Sequence, residues 1–122
     1  MPINPIVHLD IPAKSPAATS KFYADLCGWQ IQVDEPSQYH MFSAPGGPGG
    51  GFAVADGKNY KVGEIVPYVG TDDIDAFLKK VEPAGGKLLG SKVDMPGIGA
   101  YAFFADPNGN RIGVYMAFPH DH

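Results

Sequence analysis

The stretch FYADLCGW, residues 22–29, decides the fold because a helix ends and a strand begins within it. Ala18, Phe22 and Leu26 are spaced four residues apart, which is the spacing of side chains on one face of a helix. Gly28 follows them and is a residue type that commonly ends helices. Beyond it the sequence has the alternating pattern of strands, so the stretch predicts a helix followed by a sheet.

The residues before this stretch predict a first strand and the start of the helix. Residues 6–11 alternate apolar and polar side chains, which is the period of a strand with one buried face. This alternation places His8 and Asp10 together on the face that points away from the core. Ser15 and Pro16 then predict the N-cap and the first residue of the helix.

The remainder of the chain repeats this order of elements. A second helix is predicted to begin at a cap formed by Asp72 or Asp73, whereas residues 45–51 are so rich in Gly and Pro that they predict a loop. The helix-ending residues Gly28 and Gly85 lie 85 − 28 = 57 positions apart, which indicates two copies of one unit of about 55 residues. The strands predicted after the first helix cover residues 29–33, 39–43, 52–55, 64–71, 87–93, 99–105 and 111–116.

The composition is that of one globular domain. With 122 residues, of which 44% are hydrophobic and 18% charged, the chain is large enough for one core. The net charge of −4 argues against a nucleic-acid partner, and no stretch approaches the ~20 apolar residues that cross a bilayer. A single cysteine and the lack of a signal-peptide pattern predict a cytoplasmic protein.

Several motifs resemble those of one known family. His8, the pair Phe22-Tyr23 and the segment from Leu26 to Trp29 are similar to the opening motif of the vicinal oxygen chelate superfamily, which includes glyoxalase I, bleomycin-resistance proteins and extradiol dioxygenases. The turn Asp106-Pro107-Asn108-Gly109-Asn110 resembles the turn that precedes the last strand in that family. The similarities follow the family order over nearly the whole chain.

The resemblance implies a fold, an assembly and a metal. The implied fold is α+β, with two βαβββ modules that form a U-shaped mixed-sheet cleft and helices outside, as in glyoxalases. We expect a single domain over residues 1–122, with module one at about 5–57 and module two at about 63–118. Many members are homodimers, and the enzymes of the family bind one divalent metal through side chains of the first and last strands of each module.

Most of the metal ligands that the resemblance implies are missing from this sequence. His8 occupies the first ligand position, but the equivalent position of module two falls on Ile65 or Val66. The last-strand glutamate of the family corresponds to Gly113, and the fourth position falls within residues 51–55, which contain no Asp, Glu or His. We therefore expect no cofactor, because a catalytic site normally needs three protein ligands. A metal held by His8 and Glu64 is the alternative.

The leading functional hypothesis is that the cleft binds a small molecule, aromatic in one version, without the family metal. Aromatic walls with a few polar groups are typical of such sites. The alternative is a lyase, isomerase or dioxygenase that depends on a metal or on His8 as its catalytic residue. A third hypothesis is an interaction module without a ligand. The predicted ligand-binding residues are His8, Asp10, Phe52, Tyr68, Tyr101 and Tyr115.

The remaining histidines and the cysteine have simpler interpretations. His40 is expected on a strand as an ordinary, partly exposed residue. His120 and His122 belong to a C-terminal tail that is expected to be frayed. Cys27, next to a helix-ending glycine, is expected to be a buried apolar thiol rather than a nucleophile.

Overall fold

The computed structural model describes residues 3–118, and it confirms the predicted α+β class. His120 and His122 lie outside the described residues. The chain divides into a first unit, residues 6–67, and a second unit, residues 3–5 with 68–118. The elements in chain order are β1 (Ile6–Ala13), α1 (Pro16–Cys27), β2 (Gln30–Asp34), β3 (Tyr39–Ser43), β4 (Gly49–Val54), β5 (Val66–Gly70), α2 (Ile74–Val81), β6 (Lys87–Leu88), β7 (Val93–Met95), β8 (Gly99–Ala105) and β9 (Arg111–Ala117).

The first unit is a βαβββ module with the strand order β2-β3-β4-β1. β1 and β4 are parallel, whereas β2, β3 and β4 form an antiparallel meander. The helix α1 begins as predicted, because the Ser15 hydroxyl accepts a hydrogen bond from the Ala18 amide and Pro16 follows the cap. It ends at Gly28, whose φ of 74° is left-handed and therefore suits glycine.

Aromatic side chains form the core of the first unit between α1 and the sheet. Tyr23 of α1 stacks on Trp29 at 4.8 Å and on Phe52 at 5.6 Å, measured between ring centroids. Trp29 stacks in turn on Phe42 at 4.3 Å. Phe52, which the sequence analysis assigned to the ligand site, is 1% exposed and belongs to this core. It therefore faces the helix rather than the side of the sheet that carries His8.

The predicted helix face of α1 points to solvent instead of the sheet. Phe22 is 57% and Leu26 is 68% exposed, and Ala18 is exposed as well. Tyr23 is the side chain with which α1 packs on the aromatic core. Cys27 is also exposed, so the expectation of a buried thiol is wrong. The four-residue spacing correctly placed Ala18, Phe22 and Leu26 on one face of α1. It did not show that this face points to solvent.

The strand β4 begins at Gly49, three residues before its predicted start, so the glycine-rich loop is shorter than expected. Gly49, Gly50 and Gly51 all lie in the strand. Each stands where the Cβ atom of another residue would overlap a neighbouring residue. A Cβ atom at Gly50 would overlap the carbonyl oxygen of Leu9, and one at Gly51 would overlap the Tyr39 hydroxyl. Glycine is therefore used here for close approach and not for a turn.

The second unit has the same plan with one interruption. β5 is parallel to β9, β9 pairs antiparallel with β8, and β8 also pairs with β6 and β7. The single strand predicted at residues 87–93 is divided into the short β6 and β7. Asp73 rather than Asp72 caps α2, through a hydrogen bond of 3.1 Å from the Ala76 amide, and the helix ends at Val81, before Gly85.

The core of the second unit lies between α2 and one face of its sheet. Its buried residues are Ile74, Ala100, Ala102 and Val114, and Phe77 and Leu78 of α2 pack against them. The opposite face of the sheet carries the side chains of alternate parity. Within residues 3–118, neither helix has the length and apolar composition needed to span a lipid bilayer.

Candidate functional site

His8 and Asp10 lie on the same face of β1, as the alternation predicted. Leu9 and Ile11, the residues of opposite parity, pack against the aromatic core. The side chain of His8 is 30% exposed and that of Asp10 is 7% exposed. The imidazole is therefore accessible, whereas the carboxylate lies beneath the surface.

Among the described residues, His8, Tyr39 and Tyr60 provide side-chain hydrogen-bond donors to Asp10. The Oδ1 atom lies 3.2 Å from Nε2 of His8 and also accepts from the hydroxyl of Tyr39, while Oδ2 accepts from the hydroxyl of Tyr60 at 2.8 Å. Burial acts to raise the pKa of Asp10, but the hydrogen bonds from His8, Tyr39 and Tyr60 and the charge of His8 outweigh it and lower the pKa. Asp10 is therefore a buried anion with its own set of donors.

The hydrogen bonds of the Tyr39 hydroxyl determine whether Nε2 of His8 donates or accepts. Burial and the adjacent Asp10 carboxylate raise the pKa of the Tyr39 phenol, so the phenol stays protonated and donates to Asp10. Its oxygen then accepts from Nε2 of His8, which lies 2.8 Å away. With the phenol donating to Asp10, Nε2 of His8 faces two acceptors and acts as the donor in this arrangement.

Tyr60 reaches Asp10 from a turn that follows β4. The carboxylate oxygen Oδ1 of Asp56 accepts from the backbone amides of Lys58, Asn59 and Tyr60 at 2.8, 3.0 and 3.0 Å. These bonds, that of Tyr60 first, lower the pKa of Asp56 below its ordinary value. The exposed Asp56 thereby positions Tyr60, which donates a hydrogen bond to the buried Asp10.

A pocket of about 530 Å³ opens beside His8 within the first unit. This volume is in the range of small-molecule sites. Asp10 and Tyr39, the partners of the His8 Nε2 atom, are not among its lining residues. The lining residues are Val7, His8, Gln30, Ile31, Gln32, Met41, Phe42, Ser43, Gly49 and Gly50.

The other predicted site residues lie on the second unit, on the sheet face opposite α2. Tyr68 of β5 is 6% exposed, while Tyr101 of β8 and Tyr115 of β9 are half-buried and are paired across the two strands. Phe103 lies 5.7 Å from both Tyr68 and Tyr101 between ring centroids, and the guanidinium of Arg111 lies 4.0 Å above its ring. These residues form an aromatic surface with one cation over it.

The last-strand position that the family resemblance assigns to a glutamate is Gly113, the strand register gives Gly51 as its counterpart in the first unit, and a tyrosine covers each glycine. Gly113 is paired with Tyr68, and a Cβ atom at Gly113 would overlap the Tyr68 ring. Gly51 is paired with Asp10 by the same parallel register, and a Cβ atom there would overlap Tyr39. The register thus selects Gly51 as the fourth position within residues 51–55. Both places are filled by phenol rings instead of carboxylates.

The remaining candidate ligands do not complete a set. Val66 is buried, 2% exposed, and Glu64 lies in an exposed turn before β5 rather than on the predicted strand. Over residues 3–118, His, Cys, Asp and Glu side chains form no group of three that would hold a metal ion. The donor set that the family metal needs is therefore not provided by the side chains at these positions.

The sequence did not predict Tyr39 and Tyr60 as partners of Asp10, or Gln30, Gln32 and Ser43 as lining residues. Tyr60 is 50 positions from Asp10 in the sequence, so no local pattern connects them. The alternation of Gln30, Ile31 and Gln32 does place both glutamines on one strand face, which is the signal that would have identified them.

Comparison with known proteins gives a consistent family. The family model described as the glyoxalase/bleomycin resistance protein/dioxygenase superfamily matches residues 5–114. "Putative glyoxylase CFP32" of Mycobacterium bovis is 30% identical over 127 residues, which cover 92% of this chain and 45% of that protein. Anthracycline biosynthesis protein DnrV of Streptomyces peucetius is 30% identical over 128 residues, which cover 87% of this chain and 44% of that protein. The chain spans less than half of the length of each relative.

A solved structure supports the fold. A glyoxalase/bleomycin resistance protein/dioxygenase superfamily member from Vibrio splendidus 12B01 superposes with a TM-score of 0.67 at 10% sequence identity. The superposition covers 93% of this chain and 99% of that chain. The likeness confirms the predicted glyoxalase-like fold class.

Proposed function

This chain belongs to the glyoxalase/bleomycin resistance protein/dioxygenase superfamily, and from that premise we propose that it binds a small aromatic molecule without the divalent metal of the family. The observation that carries the proposal is the pocket beside His8, which combines a ligand-sized volume with hydrogen-bonding side chains. The tyrosines over Gly51 and Gly113 support the absence of the metal, because they take the space of two ligands.

The relatives are compatible with an aromatic ligand. The name of DnrV connects that protein with anthracycline biosynthesis, and anthracyclines contain fused planar rings. A planar ligand is therefore the class that we expect.

Two measurements on protein without an affinity tag test this proposal. A thermal-shift screen of aromatic metabolites and antibiotics should find compounds that raise the melting temperature, because a ligand that binds the native state stabilises it. Elemental analysis should find only substoichiometric Mn, Fe, Ni and Zn. A stoichiometric metal that survives dialysis, or a screen without any stabilising compound, would contradict the proposal.

The second candidate is a metal-free enzyme, a lyase or isomerase that uses His8. The observation in its favour is the hydrogen bond of 3.2 Å between the accessible His8 and the buried Asp10, an arrangement that orients an imidazole for proton transfer. Once a stabilising compound is known, its conversion can be followed by mass spectrometry. His8→Ala should abolish turnover, and unchanged turnover in this variant would exclude His8 as the catalytic residue.

We also propose that the chain forms a homodimer through the exposed face of α1, with a second copy as the partner. Phe22 and Leu26 expose an apolar surface there, and Lys21 and Asp25 form an exposed ion pair of 2.6 Å beside it. In an antiparallel pair of α1 helices, Lys21 of each copy would lie near Asp25 of the other. Such a surface is complementary to itself, as a two-fold interface requires.

Light scattering after gel filtration tests the dimer. Phe22→Glu should give the monomer mass, because the variant puts a charge in an apolar interface. Val54→Glu is the matched control, since Val54 is a 62% exposed apolar residue outside α1, and this variant should stay dimeric. A monomeric wild-type protein, or dissociation of both variants, would contradict an interface at α1.

The cellular location and the class of binding partner are proposed from the cysteine content and the net charge of the chain. We propose a cytoplasmic protein, since Cys27 has no second cysteine with which to form a disulfide. The net charge of −4 supports a small-molecule partner rather than a nucleic acid. Localisation of a fluorescent fusion tests the first point, and the ligand screen tests the second.

A further inference from the structure

The pocket beside His8 is lined by polar side chains that carry no permanent charge. Asp, Glu, Lys and Arg are not represented among the residues of the described chain that line it. Its polar groups come from His8, Gln30, Gln32 and Ser43. Moving a charged group out of water without a partner is far more costly than moving a hydrogen-bonded neutral group. The lining therefore offers a charged ligand no counter-charge from Asp, Glu, Lys or Arg side chains.

The carboxylate of Asp10, two residues from His8 on β1, already has hydrogen-bond partners. It accepts from His8, Tyr39 and Tyr60, and Asp10 is not among the lining residues of the pocket. Because these donors engage it, the Asp10 anion does not provide the counter-charge that a cationic ligand needs.

The two glutamines provide a repeated polar contact along β2. Because Gln30 and Gln32 are two residues apart on one strand, their Cα atoms are separated by about 7 Å and their side chains share a face. Across the strand pair, Gln30 faces Ser43 and Gln32 faces Met41. Each amide offers donors and an acceptor, so a flat molecule over Met41 can form hydrogen bonds at both ends.

We propose that this pocket selects uncharged aromatic ketones, whose carbonyl oxygens accept hydrogen bonds from the amides of Gln30 and Gln32. This inference rests on the proposed function and names the ligand class of the same site. Met41 supplies apolar contact for the ring. Gly49 has no side chain and leaves the backbone of β4 accessible to a planar ligand. Ser43 is placed for a ring hydroxyl.

The test compares three probes of the same ring size: 2-acetylnaphthalene, which is neutral, 2-naphthoate, which is an anion, and 2-naphthylmethylammonium, which is a cation. Affinities are measured by NMR titration of the side-chain amide signals of the glutamines, using the full chain at neutral pH. We expect the ketone to bind at least about tenfold more tightly than either charged probe. Its titration should shift the signals of Gln30 and Gln32.

Two variants connect the preference with the glutamines. Gln32→Glu keeps the side-chain shape but adds a negative charge, so it should weaken ketone binding about tenfold and strengthen binding of the cation. Asn108→Asp is the control, because it makes the same amide-to-acid change at an exposed residue of the second unit, and it should leave all three affinities unchanged. Equal effects of both variants would overturn the assignment to Gln32.

The outcomes separate this inference from the proposed function. If a charged probe binds as tightly as the ketone, or more tightly, the inference on ligand class is overturned while small-molecule binding stands. If the three probes all fail to bind at millimolar concentration and the broader screen still finds ligands, only the ketone class is overturned. Failure of both the probes and the screen overturns the two proposals together.

Discussion

The phenol ring of Tyr39 lies over Gly51, so that a Cβ atom at position 51 would overlap the Tyr39 hydroxyl. Through this contact β3 and β4 bring the phenol to Asp10 on the neighbouring strand β1. Because Gly51 has no side chain, the Tyr39 ring has space to lie there and to donate a hydrogen bond to the buried Asp10.

Gly51→Ala should destabilise the protein by about 1–3 kcal/mol, because the new methyl group displaces the Tyr39 ring. Urea unfolding measures the loss. In a Tyr39→Ala background the same substitution should cost less, so a double-mutant cycle should give a coupling energy. Gly47→Ala is the control, since its Cβ atom would have only an ordinary contact at 3.9 Å, and it should be nearly neutral.

Tyr60→Phe should lower the free energy of unfolding by about 1.5–3 kcal/mol, because it removes a hydrogen bond of 2.8 Å to the buried Asp10 carboxylate. The same variant should raise the pKa of Asp10, which has one donor fewer. Tyr101→Phe, a half-buried tyrosine on the other unit, serves as the comparison. An equal loss in both variants would show that the Tyr60 hydroxyl has no special role.

The stability that Asp10 contributes should depend on pH. Because the folded-state pKa of Asp10 is lowered, the contribution is present above the unfolded value of about 3.9 and is lost as the pH falls through the folded-state pKa. The stability difference between the wild type and Asp10→Asn should therefore shrink as the pH falls below about 4. If urea titrations give the same stability difference at neutral pH and at pH values below about 4, the prediction is contradicted.

Asp56→Ala should disturb the environment of His8 although the two residues are not in contact. The substitution removes the acceptor for three amides, including that of Tyr60, and so releases the tyrosine that donates to Asp10. Asp106→Ala removes a similar acceptor for the amides of Asn108 and Asn110 in the second unit. NMR signals of the His8 imidazole should shift in the first variant and stay in place in the second.

Local signals were sufficient where a strand is bounded by turn residues. The predicted bounds of β3 and β8, Tyr39–Ser43 and Gly99–Ala105, agree with the structure because both strands lie between segments that cannot continue them. The start of β4 was predicted too late, since a glycine that allows close approach looks the same in sequence as a glycine in a loop. Which interpretation holds depends on Tyr39 and Leu9, which lie on other strands.

The candidate site was predictable only in part for the same reason. Alternation along β1 placed His8 and Asp10 on one face, since side chains on a strand follow a period of two. The donors Tyr39 and Tyr60 come from distant parts of the chain, 29 and 50 positions from Asp10, and only the folded chain brings them to it. Similarly, the spacing of Phe22 and Leu26 defines a helix face, whereas its exposure is decided by how Tyr23 packs.

The glycine run of β4 has a consequence for how this protein can change. Gly49 and Gly50 present peptide groups to the pocket, and a Cβ atom at Gly50 would overlap Leu9 and Phe42. A side chain at Gly50 would disturb the sheet whatever its effect on ligand binding. This part of the pocket therefore cannot change by single substitutions. Descendants of this protein that acquire a new ligand should have changed at Gln30, Gln32, Met41 or Ser43, where side chains are replaceable without moving a strand.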